Sequence, residues 1–366
     1  RNIKIWIINT ILIFTLFSTA NTVGQISKKI DSLAASHFNN GFNGNILYSK
    51  NDSIVFTGNY GYKNIIKKDP LNNSTLFELA SVSKQFTALA IVQLKEKKLL
   101  KYDDAVYKFI KSFPYKNITI RHLLKHQSGL PDYQKILYNK KAWNRKKVAT
   151  NKDIILLLKK RQPKLLSIPG TKYDYNNTGY ALLASIIETV SKQSYATYIE
   201  QHIFIPSKMQ GAFVFKNSKE IKTHFNLARG YTYNKKKKKY QKIEKDKTHK
   251  HIHWMNGIVG DRGVYASIID LNKWNRALRK NILISEDGKK EMFKIDNISK
   301  KYGFGFAIYQ TKDMGKWVYH NGSWSGYKTS AIYLPKSNQY LVILSNNRYK
   351  ETYNKFELAF YNLIKK

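Results

Sequence analysis

The sequence predicts an α+β fold, in which one antiparallel sheet is assembled from both ends of the chain and an all-α region is inserted between them. Three observations carry this expectation. Short runs rich in β-branched and aromatic residues, bounded by turn residues, cluster before residue 60 and after residue 302. Between them, apolar residues recur at spacings of three and four, the period of helices. One segment, residues 86–92, is apolar almost throughout, so its helix is buried on every side. No internal repeat points to a solenoid or propeller instead.

In order along the chain, residues 1–20 open with Arg1 and Lys4, continue with an apolar stretch over 5–17 interrupted by Asn9 and Thr10, and end on Ser18-Thr19-Ala20. A basic start, an apolar run too short for a comfortable membrane span and a small-x-small site are expected of a secretory signal peptide. The protein is therefore expected to be exported, periplasmic or extracellular, or anchored by that segment where it stays uncleaved. Residues 21–366 read as a single domain, with a sheet subdomain at about 26–80 and 295–366 and a helical subdomain at about 98–290.

Apolar positions Ile26, Ile30, Leu33 and Ala34 predict a helix over 26–36, broken by Gly41-Phe42-Asn43-Gly44. Residues 45–49 and 53–57 read as two strands with Asn51-Asp52 as their turn. Helical patterns then recur at 121–126, 151–160, 179–190, 194–202 and 268–278. Strands are expected at 305–309, 317–320, 329–334 and 340–344, and an amphipathic helix closes the chain over 353–364.

Lys and Arg number 64 against 24 Asp and Glu, a net charge of +40. A basic balance of this size suits anionic partners. The lysines are scattered, however, apart from one run at 235–239 between Tyr233 and Tyr240, and no nucleic-acid motif accompanies them. No nucleic-acid partner is expected; association with a membrane surface through the basic charge stays open. There is no cysteine, which excludes a disulfide framework and thiol catalysis. His249-Lys250-His251-Ile252-His253 alternates three imidazoles as a strand presents them, but no carboxylate or cysteine with ligand spacing joins them. Neither a metal nor a cofactor is called for.

The chemistry-bearing residues begin with Ser81 and Lys84. Placed at i and i+3 in the first turn of the buried helix, they share a face, so the amine reaches the hydroxyl. A serine becomes a nucleophile when a neighbouring base takes its proton, and a desolvated lysine can be that base. The helix start also favours developing negative charge. The same spacing at Ser325 and Lys328 lies in a glycine-flanked loop and opens no apolar helix. Downstream, Tyr175 and Asn177 alternate in a loop running from Pro169-Gly170 into a helix, so both project the same way. A phenol beside a cationic lysine is expected to have its pKa lowered and to relay the serine proton. Near the C-terminus His320 stands at the end of an expected strand. Gly322 follows, which lets a substrate approach the backbone, and the N–H of Ser323 could pair with that of Ser81 as an oxyanion hole.

In this order, Ser81-x-x-Lys84, Tyr175-x-Asn177 and His320-x-Gly322 resemble the class C β-lactamase and penicillin-recognising serine hydrolase family. The phrases Ile118-Thr119-Ile120-Arg121-His122-Leu123-Leu124-Lys125-His126-Gln127-Ser128-Gly129-Leu130-Pro131 and Gly260-Asp261-Arg262-Gly263-Val264-Tyr265-Ala266-Ser267 are similar to signatures of that family too. The resemblance implies a β-lactamase/transpeptidase-like fold with the site in a cleft between sheet and helices. It implies Ser81 as the acylated nucleophile, Lys84 and Tyr175 sharing the base role, and Asn177, His320, Gly322 and Ser323 binding substrate. The implied substrate is a small molecule or a peptidoglycan-derived fragment: an ester, a D-amino-acid amide or peptide, or a β-lactam. His320 stands where the true β-lactamases of the family usually carry a lysine, and Asn321 where they carry a threonine. That form is similar to esterases and D-amino-acid peptidases, and protonation of His320 towards pH 6 is expected to restore part of the missing charge. The alternative is a catalytically silent or singly acylating cell-wall binder or sensor that uses the same cleft.

Overall fold

The computed structural model describes residues 24–234, 236–246, 251–347 and 350–364, so the signal-like segment of residues 1–20 lies outside the described residues. Helix α1 occupies residues 24–39. It is followed by β1 (Gly44–Lys50) and β2 (Ser53–Tyr60). Asn51 and Asp52 join them with φ of 50° and 67°. That left-handed pair is the backbone a two-residue hairpin between twisted strands demands, and Asn and Asp tolerate it best after glycine.

A 3-10 turn, Ala80–Ser83, leads into α2 (Lys84–Glu96), in which every residue from Lys84 to Leu94 is buried. The helical region continues with α3 (Ile120–Leu124), α4 (Tyr133–Tyr138), α5 (Asn151–Arg161), α6 (Asn177–Ser191) and α7 (Ile268–Arg279). The segment expected to be one helix over 194–202 is an α-turn, Tyr195–Ile199, running into a π-turn, Glu200–Phe204. Residues 251–255 are helical, not extended, so positions 251 and 253 do not share a face as they would on a strand; His249 and Lys250 lie outside the described residues. Among the described residues no group of three metal-ligating side chains comes together.

The chain then returns to strand: β3 (Ala307–Thr311), β4 (Gly315–Trp324), β5 (Tyr327–Leu334) and β6 (Gln339–Ser345), closing with α8 (Lys350–Ile364). Among the described residues they form one antiparallel sheet in the order β3-β4-β5-β6-β1-β2. Gly44 pairs with Ser345 and Lys50 with Gln339, so the two ends of the chain meet in the middle of the sheet. Its faces are both covered because its strands alternate. Leu47, Val342 and Leu344 face the main core of α2 and the helical region, whereas Ile46, Leu341 and Ile343 face Phe356 and Phe360 of α8 and Ile30 of α1.

β4 differs from expectation. It begins two residues earlier and runs to Trp324, so His320 and Gly322 lie within the strand and not at its end. His320 pairs with Ala331, Gly322 with Thr329 and Ser323 with Lys328. Asn321 and Gly322 are poor strand formers. The pairing with β5 decides their conformation, not their own propensity.

Candidate active site

The site is built where the start of α2 meets β4. Strand residues Phe77–Glu78 pair with Tyr265–Ala266, and Leu79 N–H bonds the Val264 carbonyl, which fixes the chain just before the turn. Ala80 then takes φ of 49°, a conformation that a residue with a Cβ adopts only under constraint and that concentrates at functional sites. The bend delivers Ser81 to the head of α2. β4 comes so close behind it that a Cβ on Gly322 would lie 2.2 Å from Thr329 Oγ1 and 2.4 Å from the Leu79 carbonyl oxygen. Only glycine permits that approach.

Lys84 is fully buried. Its Nζ lies 3.2 Å from Ser81 Oγ, 2.9 Å from Asn177 Oδ1 and 2.9 Å from the Asp261 carbonyl oxygen. Burial lowers its pKa to about 8; the nearby Asp261 and Asp132 carboxylates oppose that shift, and Arg262 assists it. The three partners fix the direction of the lone pair when the amine is neutral. Two N–H groups go to the two carbonyl-type oxygens, which can only accept, and the lone pair is left facing the one partner able to donate, the Ser81 hydroxyl.

Asn177 opens α6. Asn176 caps that helix, its Oδ1 accepting from Gly179 N–H at 3.1 Å, and its amide donates to the Leu130 carbonyl at 2.6 Å. The Asn177 amide is oriented from behind by Asp132, whose Oδ2 accepts from Asn177 Nδ2 at 2.9 Å and from the Asn177 backbone N–H at 3.1 Å. Asp132 Oδ1 in turn caps α4. Tyr175 brings its ring within 4.9 Å of Lys84 Nζ. His126 packs against it at 4.3 Å between ring centres and accepts from Asn176 N–H at 3.0 Å.

The expected lowering of the Tyr175 pKa is overturned. Although 38% of the residue faces the cleft, the surrounding protein disfavours phenolate and pushes the phenol up, Asp261 and Asp132 add to this, and a hydrogen bond with Ser81 offsets only part. The nearby Lys84 charge, 4.9 Å from the ring centre, does not outweigh these effects. Tyr175 therefore carries its proton at neutral pH.

The pH dependence expected of His320 is overturned as well. Nδ1 lies 2.8 Å from the Asn321 carbonyl oxygen, which can only accept, so Nδ1 carries the proton. Nε2 accepts from the Tyr302 hydroxyl at 2.8 Å. Burial and the charge of Lys84 lower the His320 pKa to about 3, so the ring stays neutral from pH 5 upward.

Ser81, Tyr175, Asn177, His320, Gly322 and Ser323 line one cleft of about 1000 Å3, and Lys84 lies buried beneath it. Arg262, Lys301 and Lys328 line the same cleft, so loss of a lysine at position 320 does not leave it without cations. Arg262 is held 4.0 Å over the Trp324 ring. Sequence reasoning gave no role to Asp132, His126, Asp261 or Arg262. The last three stand inside the quoted phrases and Asp132 directly follows one, so proximity to a signature was the available signal.

A protein-family model described as Beta-lactamase matches residues 39–364. A penicillin-binding protein of Bacillus subtilis (strain 168) is 35% identical over 322 residues, which span 87% of this chain and 70% of that protein. Among solved structures, the octameric penicillin-binding protein homologue from Pyrococcus abyssi superposes with a TM-score of 0.74 at 28% identity, over 89% of this chain and 73% of that one. The D-amino acid amidase from Ochrobactrum anthropi SV3 shares the fold, with a TM-score of 0.72 at 19% identity over 92% of this chain and 99% of that one.

Proposed function

The chain belongs to the Beta-lactamase family, and from that premise we propose that it is an exported serine hydrolase that forms an acyl-enzyme on Ser81. The observation that carries the reading is the buried Lys84 amine, whose other partners can only accept, so that its lone pair faces the Ser81 hydroxyl. In the first step the Ser81 proton passes to Lys84 Nζ as Oγ bonds to the substrate carbonyl carbon. The backbone N–H groups of Ser81 and Ser323 receive the oxyanion, and Asn177 holds the amide or ester flank. On collapse the carbonyl–leaving group bond breaks. The leaving group takes a proton from the Tyr175 phenol, which is refilled from Lys84. Water then attacks the acyl carbon as its proton passes to Lys84, the bond between that carbon and Ser81 Oγ breaks, and Oγ takes the proton back from Lys84 as the acid leaves.

The substrates proposed are short-chain esters and small D-amino-acid amides, in preference to cephalosporins. Neutral His320, at the place of the usual lysine, supports this, and the amidase that shares the fold agrees with it. Replacing a charge-assisted hydrogen bond by a neutral one costs ~1 kcal/mol, several-fold to tenfold in kcat/KM, so a weak β-lactamase activity is expected beside the main one.

Fluorophosphonate labelling tests the nucleophile. Stoichiometric labelling that disappears in Ser81→Ala is the expected result, and labelling that persists in that variant or maps to Ser325 refutes the assignment. Kinetics on a p-nitrophenyl ester, a D-alanine anilide and a cephalosporin test the substrate class; a wide preference for the cephalosporin overturns it. A single burst without turnover on all three makes the protein an acylating binder instead.

A further inference from the structure

Most of the 64 basic residues lie outside the cleft, and a group of them is exposed at one edge of the molecule. Three loops meet there. The first is the turn at 65–68, with Lys67 and Lys68 exposed and Ile66 58% exposed. The second is the segment 216–225, which exposes Lys216, Lys219 and Lys222. The third is the hairpin of Tyr231–Asn234 with Lys239–Lys242, whose described tip residues Lys236 to Lys239 are all exposed. Arg229 and Tyr231 sew the three together. Arg229 N–H bonds the Lys63 carbonyl at 2.7 Å, and its guanidinium donates to the Ile221 carbonyl and, at 2.7 Å, to the Lys222 carbonyl. The Tyr231 hydroxyl donates to Asn64 Oδ1 at 2.7 Å. Of the second loop's lysines, Lys216 has a half-exposed partner, Glu200, at 3.7 Å.

Phe225 separates this edge from an ordinary solvated lysine face. It is 85% exposed, yet it is held in place as the outer ring of a stack. Tyr265 and Phe213 lie 4.8 Å apart and 1° from parallel, Phe213 and His224 5.4 Å apart at 17°, and His224 and Phe225 5.5 Å apart at 6°. The stack starts at buried Tyr265 and presents an apolar ring to water among lysines. A soluble polyphosphate gains nothing from a projecting phenyl ring and isoleucine, and a base stacked on the ring gains nothing from the isoleucine. A bilayer surface does, because it takes apolar side chains below the headgroups while lysines meet anionic lipid.

We propose that the edge formed by Ile66, Phe225 and the lysines of the three loops docks the protein on an anionic lipid bilayer, with Phe225 and Ile66 entering the interface. The contact is peripheral: among the described residues no helix is long and apolar enough to cross a membrane. It is independent of the hydrolase reading. The edge does border the cleft, since a Cβ on Gly230 at the hairpin base would lie 2.7 Å from the carbonyl oxygen of Ser325, a cleft-lining residue.

The cysteine-free chain allows a direct test. An environment-sensitive fluorophore is attached to the full chain at Phe225→Cys, at Ile66→Cys and, as a control, at Asp287→Cys, a site whose side chain is 92% exposed on the helix Glu286–Met292. The site-specific signal matters because the apolar N-terminal stretch can attach the chain to any vesicle. Vesicles containing phosphatidylglycerol should shift the emission to the blue at 225 and 66, with quenching by brominated acyl chains, and leave 287 unchanged. Phosphatidylcholine vesicles and soluble polyphosphate should do neither. Replacing Lys236 to Lys239 by glutamine should weaken the titration at least tenfold. No shift at 225 and 66, an equal shift at 287, or a shift produced by polyphosphate alone overturns the proposal.

Discussion

Burial brings Lys84 close to neutrality, against the nearby Asp261 and Asp132 carboxylates and the oxygen atoms that its amine meets. With its pKa lowered from 10.5 to about 8, roughly a tenth of the amine is free at pH 7, against less than a thousandth for an ordinary lysine. In the proposed mechanism the active form is the deprotonated one, so kcat/KM is expected to rise with pH and level off above an apparent pKa near 8. Lys84→Arg keeps the charge but cannot give up its proton, and should lose on the order of 10²–10⁴ in kcat/KM. Near wild-type turnover by that variant would refute Lys84 as the base. His320 makes the opposite prediction. Its pKa of about 3 puts no titration between pH 5 and 8, so its ring signals in NMR should stay flat over that range, and His320→Gln should leave the shape of the pH–rate profile unchanged. A midpoint near 6 would refute the buried, doubly bonded ring.

At the scale of elements, the site depends on how α6 begins and on how closely β4 approaches α2. Asn176 caps α6 between the two residues that face Lys84, and it also ties that end to Leu130. Asn176→Ala should lower the urea midpoint by the equivalent of about 1–2 kcal/mol without changing the slope. It should also reduce kcat/KM, because Tyr175 and Asn177 lose their fixed entry into the helix. Gly322→Ala acts through β4. Its new methyl would meet the Leu79 carbonyl at 2.4 Å, so the strand must move away from the Ser81 turn. A displacement of ~1 Å at the reacting atoms costs about 10²-fold in rate. Full activity in this variant would mean that the cleft tolerates a wider gap than the packing suggests.

Across the whole molecule, the sheet closes only when β1 finds β6, with nearly the entire chain between them in sequence. The helices that seal its outer face, α1 and α8, are therefore stability elements remote from the cleft. Phe356 is fully buried there, 4.9 Å from the Phe42 ring and 4.8 Å from the His37 ring. Phe356→Ala should cost about 3–5 kcal/mol of unfolding free energy, measured by urea denaturation, while the folded fraction keeps its kcat/KM. A loss below 1 kcal/mol would show that this layer collapses to fill the space.

The sheet strands at both ends, the buried helix after Ser81 and the Asn51-Asp52 hairpin are legible in the sequence because each is signalled by spacing within a few residues. The grouping of Ser81, Lys84, Tyr175 and Asn177 rests instead on the ordered motifs and their resemblance to a family, and the Asp261 carbonyl on Lys84 is not legible at all. The sequence places the strand end at His320, because the following asparagine and glycine argue against strand locally; β5 and the Leu79 carbonyl, remote in sequence, overrule that preference. Asp132 orients Asn177 from 45 positions away, a relation no local pattern carries. The two reversals, Tyr175 pushed up and His320 pushed down, share one cause. Charge proximity can be inferred from motifs, but the cost of burying a charged form depends on how many neighbours surround it, and only the assembled tertiary structure sets that number.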